Sequence, residues 1–330
     1  MKIEGAKEVI MNSPIIPIWQ NRLQKEALVR MAHHTTHIEG TQLTKEQVRD
    51  LIDGKQVIAR ERDKQEVLNY LKVIDFIDEV YSNEEMIIDL RTIRHIHRLT
   101  MEGIKEGYSP GEYRKVQNYV INSKTGEIIY TPPPANEVPI LMMELVDWLR
   151  FEEAEELSPI LKAGIAHYQL VTIHPFLDGN GRTARALATL ILYNQGYDTK
   201  KLFSLEEYYD KNPSGYYNAL QSGRITGELT TWLEYFTKGI AEEMQKVKEL
   251  VLSHSRDRAL REKIGQVELT ERQLDILSYI EEHGKITNRE LQELADISNV
   301  VAYEELKALM EKGIIQRKGQ GRATHYVLND

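Results

Sequence analysis

The 330-residue sequence contains no cysteine. Disulfides and thiolate zinc sites are therefore excluded, and a reducing compartment fits the chain. Positive charge is also in deficit. Its 42 Lys and Arg face 51 Asp and Glu, a net −9, so no global field draws the chain to nucleic acid or anionic lipid. No apolar run approaches the roughly 20 residues that span a bilayer. The opening "MKIEGAKEVI" lacks the basic segment and apolar run of a signal peptide. These absences predict a soluble cytoplasmic protein with no membrane partner. Internal repeats and low-complexity segments are missing too, and at roughly 150 residues per domain the length suggests two domains.

What is present is mostly helix. "RDKQEVLNYLKVIDFIDEVY" (62–81) places Val67, Leu71, Ile74 and Ile77 on one face, and 89–104 repeats the pattern with Leu90, Ile93, Ile96 and Leu99. A third amphipathic helix, 138–149, follows the breaker "TPPPANE". "SPILKAGIAHYQLVTI" offers Ser158 as N-cap and Pro159 at the first helical position, and it is apolar nearly all round, as a buried helix is. "ARALATLILYNQG" is equally apolar and stops at Gly196. Against this background, "YVINSKTGEIIY" (119–130) reads as a β-hairpin around Ser123, Lys124, Thr125 and Gly126. A charged helical connector is expected from about Leu229 to about Ile264. Beyond it, three helical segments and two short strands around Gly319 and Gly321 resemble a winged-helix domain.

Between the two buried helices lies "TIHPFLDGNGRTAR" (172–185). Two glycines bracketing Asn180 allow a tight turn with exposed N–H groups. A helix starting near Arg182 adds its positive dipole end, and together they make a cradle for phosphate oxygens. Arg182 and Arg185, three apart, share a face and can fork onto further phosphates. Asp178 is a hard carboxylate suited to Mg²⁺ beside a polyphosphate, and His174 can take a proton near neutral pH. Pro175 ends the preceding helix at His174. A histidine at a helix end is commonly structural, and "DGNG" alone is a common turn. A calcium loop is ruled out because Arg182 and Thr183 stand where it needs a ligand and a glycine, and no Walker pattern occurs. Six chemical parts within twelve positions make a triphosphate site with a base on its rim.

"HPFLDGNGRTAR" matches without departure the signature HPFx(D/E)GNGRxxR and so resembles the Fic family, the likeness covering about residues 1–240. The resemblance implies an all-α fold: a Fic helical core with a β-hairpin flap, here followed by the small winged-helix domain. It implies transfer of AMP from ATP, with Mg²⁺, to a Ser, Thr or Tyr hydroxyl of a target protein or of the chain itself. His174 would be the base, Phe176 the core anchor and Asp178 the metal ligand. ATP would lie on Gly179, Asn180, Gly181, Arg182, Thr183, Ala184 and Arg185, with Arg185 on the γ-phosphate. Gly181, where a phosphorylating variant of the family has lysine, favours nucleotidyl transfer. Tyr216 and Tyr217 resemble the pair beside the adenine, though they read equally well as core aromatics. The 119–130 hairpin would be the flap on which the target docks.

"TTHIEG" (35–40) matches the family's inhibitory motif (S/T)xxxE(G/N) through Thr35, Glu39 and Gly40. By that resemblance Glu39 pairs with Arg185 and takes it from the γ-phosphate; read alone, Glu39 is a solvated residue at a helix end. The division expected is 1–110 (helical, with the inhibitory motif), 111–228 (catalytic core), 229–265 (connector) and 266–330 (winged helix). The last segment carries eight Lys or Arg against twelve Asp or Glu, and its recognition helix holds Glu304 and Glu305. DNA is disfavoured as its partner and protein recognition or a homodimer contact preferred, with only Arg317, Lys318 and Arg322 favouring phosphate. The alternative function is a DNA-binding transcription regulator that senses a nucleotide without turnover.

Overall fold

A computed structural model describes residues 2–13, 15, 17–81, 87–104, 109–121, 125–151, 154, 156–255 and 269–329. Two units are distinguished: residues 1–11 with 23–248, and residues 12–22 with 249–330.

The first unit is helical around one buried pair. Helix α1 is Lys2–Asn12, α2 Pro17–Ile38, α3 Lys45–Ile52, α4 Glu61–Tyr81, α5 Leu90–Met101 and α6 Val138–Arg150. The central pair follows as α7, Pro159–Ile173, and α8, Asn180–Asn194, which pack along each other while α8 also meets α4 and α5. This enclosure explains the apolar circumference of α8, where Leu187, Leu190 and Tyr193 are all buried. Val67, Ile74 and Ile77 of α4 and Ile96 of α5 close on it as their spacing predicts. Asp89 caps α5 through the Thr92 N–H, and Pro159 opens α7. Ser158 holds the cap position of α7, but its side chain makes no capping bond. Helix α8 begins at Asn180, two residues before the start expected from sequence, because Gly179 (φ 76°) already turns the chain. Helices α9 (Leu205–Lys211), α10 (Pro213–Thr226) and α11 (Thr230–Ser255) complete the order. Connector residues 256–265 lie outside the described ones.

The hairpin pairs β1, Val120–Ile121, with β2, Ile128–Tyr130, antiparallel, with Val120 opposite Tyr130 and Ile121 opposite Ile128. Its turn residues Ser123 and Lys124 lie outside the described set. Ile121, Ile128 and Ile129 are exposed.

The second unit has helices α12 (Glu271–His283), α13 (Asn288–Ala295) and α14 (Asn299–Glu311), then the antiparallel wing β3 (Ile315–Lys318) and β4 (His325–Leu328). Ile276, Ile280, Leu291, Leu306, Leu309 and Tyr326 form its core, joined by Trp19. Thr270, Thr287 and Ser298 each cap the helix that follows, which gives three helices sharp starts within 42 residues (270–311). Among described helices none is long and apolar enough to cross a membrane.

Candidate functional site

The loop from α7 to α8 carries the predicted cluster. His174 closes α7 with left-handed backbone, φ 51° and ψ 56°, and its N–H still reaches the Leu170 carbonyl at 2.9 Å. A non-glycine residue there is strained and must be held by its surroundings. Arg114 does the holding: its backbone N–H donates to Pro175 O at 2.9 Å and its Nε to His174 O at 2.9 Å. The His174 Nδ1–H donates to Val171 O at 3.2 Å, which leaves the lone pair on Nε2. Burial, reinforced by the Arg224 and Arg114 charges, lowers its pKa to about 4. The imidazole is therefore neutral at pH 7, as a proton acceptor must be.

Phe176 anchors the loop. It is fully buried and stacks on His97, centroids 3.6 Å apart. His97 accepts the Gly111 N–H at Nδ1 (2.8 Å) and donates from Nε2 to Asp178 O (3.0 Å). A second ring proton would oppose the Gly111 N–H, and burial lowers the His97 pKa to about 4. The Asn180 amide bridges both backbone groups of Phe176 at 2.9 Å. Asn180 thus spends its side chain on the loop itself and offers an incoming anion only its backbone.

At the N-terminus of α8, the N–H groups of Asn180, Gly181 and Arg182 have no intrahelical acceptor. Asp178 Oδ1 accepts the Gly179 N–H at 2.7 Å and lies 3.9 Å from Arg182 Nη2, while the side chain stays 41% exposed, so a hard carboxylate is accessible at this helix end. Gly179 is required twice over. Its φ is left-handed, and a Cβ would meet Met101 Sδ at 2.6 Å. Thr183 returns its hydroxyl to Gly179 O at 2.8 Å, and Ala184 is buried.

The two arginines are separated by their partners rather than presented together. Arg182, 2% exposed, lies 3.3 Å from Glu66 Oε1 of α4 and touches Met101 Sδ. Glu66 in turn receives Arg62 and the hydroxyl of Thr41. Arg185, also 2% exposed, donates from Nε to Thr35 Oγ1 (2.9 Å) and from Nη2 to Thr35 O (2.9 Å) and Glu39 Oε1 (2.8 Å).

Thr35 and Glu39 of "TTHIEG" thus meet Arg185. Gly40, at φ 100°, ends α2, and the Thr41 N–H closes back to Thr36 O at 3.1 Å, which aims Glu39 at α8. Burial pushes the Glu39 carboxyl up, yet the Arg185 and Arg182 charges hold it below the usual range. Burial would likewise lower Arg185, but Glu39 keeps its pKa raised. A Cβ on Gly181 would lie 2.6 Å from Glu39 Oε1. The carboxylate accordingly occupies the space that the missing side chain leaves at the helix N-terminus.

Tyr216 and Tyr217 have different fates. Tyr216 is buried among Tyr209 and Trp232 with its hydroxyl 2.8 Å from His167 Nε2, whereas Tyr217 is 49% exposed beside it. Sequence reasoning missed Arg114, Arg224, His97 and Glu66. Arg224 reaches Val171 O at 3.1 Å and lies 3.9 Å over the Tyr130 ring, while the Tyr130 hydroxyl donates to Thr172 O. Together they fasten the hairpin to the end of α7. The only sequence signal for Arg114 and Arg224 was an arginine beside apolar stretches, which has many other meanings.

In comparison with known proteins, residues 87–192 match the Fic/DOC family and residues 269–316 the winged helix-turn-helix DNA-binding family. The chain is 33% identical over 198 residues to the protein adenylyltransferase Fic of Culex quinquefasciatus, covering 59% of this chain and 38% of that one. It is 31% identical over 228 residues to the protein adenylyltransferase fic-1 of Caenorhabditis briggsae, covering 68% and 42%. The chain thus spans less than half the length of these two curated relatives. Among solved structures, Fic-1 (residues 134–508) from C. elegans aligns with TM-score 0.66 at 26% identity, covering 77% of this chain and 73% of that one. A Fic family protein from Desulfovibrio desulfuricans G20 aligns with TM-score 0.66 at 24% identity over 99% and 94%, a likeness of fold alone.

Proposed function

We propose that this chain, whose residues 87–192 match the Fic/DOC family and residues 269–316 the winged helix-turn-helix DNA-binding family, is a protein adenylyltransferase held in check by its own Glu39. In this reading it moves AMP from ATP to a Ser, Thr or Tyr hydroxyl of a target protein or of itself. One observation carries it: a neutral, rigidly held His174 beside a glycine-opened helix N-terminus. His174 Nε2 takes the hydroxyl proton, the freed oxygen bonds to the α-phosphorus, and the bond to the pyrophosphate oxygen breaks with its electron pair. The N–H groups at the start of α8 receive phosphate oxygens, and Arg185 neutralises the γ-phosphate once Glu39 leaves it. The accessible carboxylate of Asp178 fits Mg²⁺, which when bound neutralises charge on the phosphates. Gly181 keeps side-chain bulk away from the α-phosphate, and Tyr217 is the better placed of the tyrosine pair to line an adenine.

The hairpin supports strand addition by the target. It is a two-stranded edge, Ile121, Ile128 and Ile129 are exposed on it, and Arg224 and Tyr130 anchor it beside His174. In this reading the chain divides by function into 1–110, 111–228, 229–265 and 266–330. Mass spectrometry of the Glu39→Gly chain incubated with MgATP, MgUTP and MgGTP tests the reading. One adenylyl mass gained from ATP is the expected result, and no adduct from any nucleotide would overturn it.

The winged helix-turn-helix match sustains a second reading, DNA binding by residues 269–316. Charge opposes it, since 266–330 is net −4 and α14 carries Glu304, Glu305 and Glu311. Val300 and Tyr303 on α14 are exposed, which suits a protein partner better. Binding to duplex DNA that steepens as salt falls would favour the regulator.

A further inference from the structure

The last turns of α2 carry "AHHTTHIEG", and His33, His34 and His37 are not used by the chemistry above. Asp210 of α9 faces them. His34 Nδ1 lies 2.7 Å from one carboxylate oxygen, and His37 Nδ1 lies 2.8 and 3.0 Å from the two oxygens. With its Nδ1 proton donated to Asp210, His34 has its lone pair on Nε2. That atom is buried and meets no hydrogen-bond partner among the described residues, and the same holds for His33 Nδ1. A buried ring nitrogen without a partner is costly unless something else occupies it, and His33 Nδ1 is such an atom. One nitrogen from each of His33 and His34 and an oxygen of Asp210 lie within 4.8 Å of one another.

We propose that His33, His34 and Asp210 bind a divalent transition-metal ion of the zinc class, which clamps the end of α2 to α9. Imidazole and carboxylate are donors of the right kind, and three protein ligands leave a fourth position for water. His34 reaches such an ion through Nδ1, the nitrogen beside Asp210, so its ring proton moves to Nε2 and the His34–Asp210 hydrogen bond gives way to two metal bonds. His37 keeps its bond to the carboxylate and orients it. Lys45 is the opposing charge nearby. Glu207 is already engaged by Arg30 and Lys211, so Asp210 supplies the compensating charge. Glu39 stands two residues past His37, and an ion here fixes the turn from which it reaches Arg185. That consequence rests on the inhibitory reading of Glu39, whereas the site does not.

The test uses the full chain, stripped with EDTA, desalted and titrated with Zn²⁺ against a chromophoric chelator. One ion per chain is expected, with affinity falling about tenfold or more in each of His33→Gln, His34→Gln and Asp210→Asn. Amide exchange over residues 33–40 should slow on adding Zn²⁺ to the native chain and not to the variants. Should buried His34→Gln misfold, the partly exposed His33→Gln carries the comparison, with circular dichroism as the folding check. Absence of saturable binding, or unchanged affinity in folded His33→Gln and Asp210→Asn, overturns the site. Zn²⁺ that binds and protects 33–40 without slowing transfer leaves the site standing and counts against inhibition by Glu39.

Discussion

Replacing Glu39 by glycine removes the carboxylate bonded to Arg185 while leaving both Thr35 bonds to that guanidinium in place. The lost contact is a single charge-assisted hydrogen bond of 2.8 Å between an arginine side chain 1% exposed and a glutamate side chain 25% exposed. Bonds of this kind contribute about 1.5–3 kcal/mol, and the partial exposure of Glu39 argues for the lower half of that range. At 1.4 kcal/mol per factor of ten, releasing Arg185 should raise the population open to the γ-phosphate by roughly 10- to 40-fold. Automodification, followed as initial incorporation of label from α-labelled ATP, should rise by the same factor.

The gain has to pass through Arg185. Arg185→Ala alone should be weakly active, and added to Glu39→Gly it should cancel most of the increase. The four rates form a double-mutant cycle whose coupling reports the contact itself. Additivity of the two substitutions would refute the pairing argument. Equal rates for the native chain and a folded Glu39→Gly would show that the carboxylate restrains nothing.

Three further outcomes are expected. His174→Ala should lower transfer by at least about a hundredfold while calorimetry finds ATP affinity nearly unchanged, since the base acts on the hydroxyl proton. Asp178→Ala should abolish the Mg²⁺ dependence of transfer, and EDTA should silence the native chain; full activity in EDTA would remove the metal from the reaction. Stability should fall as pH drops from about 6.5 towards about 4, because unfolded His97 takes its proton near 6.5 and folded His97 only near 4. Buried His97 alone adds up to about 1.4 kcal/mol per pH unit in that window, so denaturant midpoints for His97→Gln should slope less steeply there than for the native chain.

Legibility in the sequence followed how local each determinant is. Helix α4 was readable because Val67, Ile74 and Ile77 repeat at helical spacing, and the wing because Gly319 breaks two apolar runs. The loop between α7 and α8 was readable because its parts are contiguous in twelve residues. Arg114 and Arg224 were not. Their work is to hold carbonyls exposed by the left-handed turn at His174, and those acceptors arise only when α7 ends where it does. Glu66 was hidden likewise, because Arg182 reaches it from another helix far along the chain while Thr41 reaches it from before α4. The start of α8 was placed two residues late because a left-handed glycine can cap a helix without any capping side chain.

Gly181 shows how one residue answers to two demands. From sequence it reads as room for a phosphate, yet its φ lies outside the left-handed region that would require glycine. What a Cβ would meet is the Glu39 carboxylate at 2.6 Å, with Arg185 Nη1 at 3.2 Å. An anion is what this helix end favours: unpaired N–H groups, a positive dipole end and a buried guanidinium all point at it. Glu39 supplies an anion there from just past the end of α2, more than a hundred residues away in sequence. The space that would admit a phosphate is thus the space that admits the Glu39 carboxylate. On this argument inhibition by Glu39 and binding of the triphosphate are competing uses of one electrostatic site, and a change that strengthens the site strengthens both.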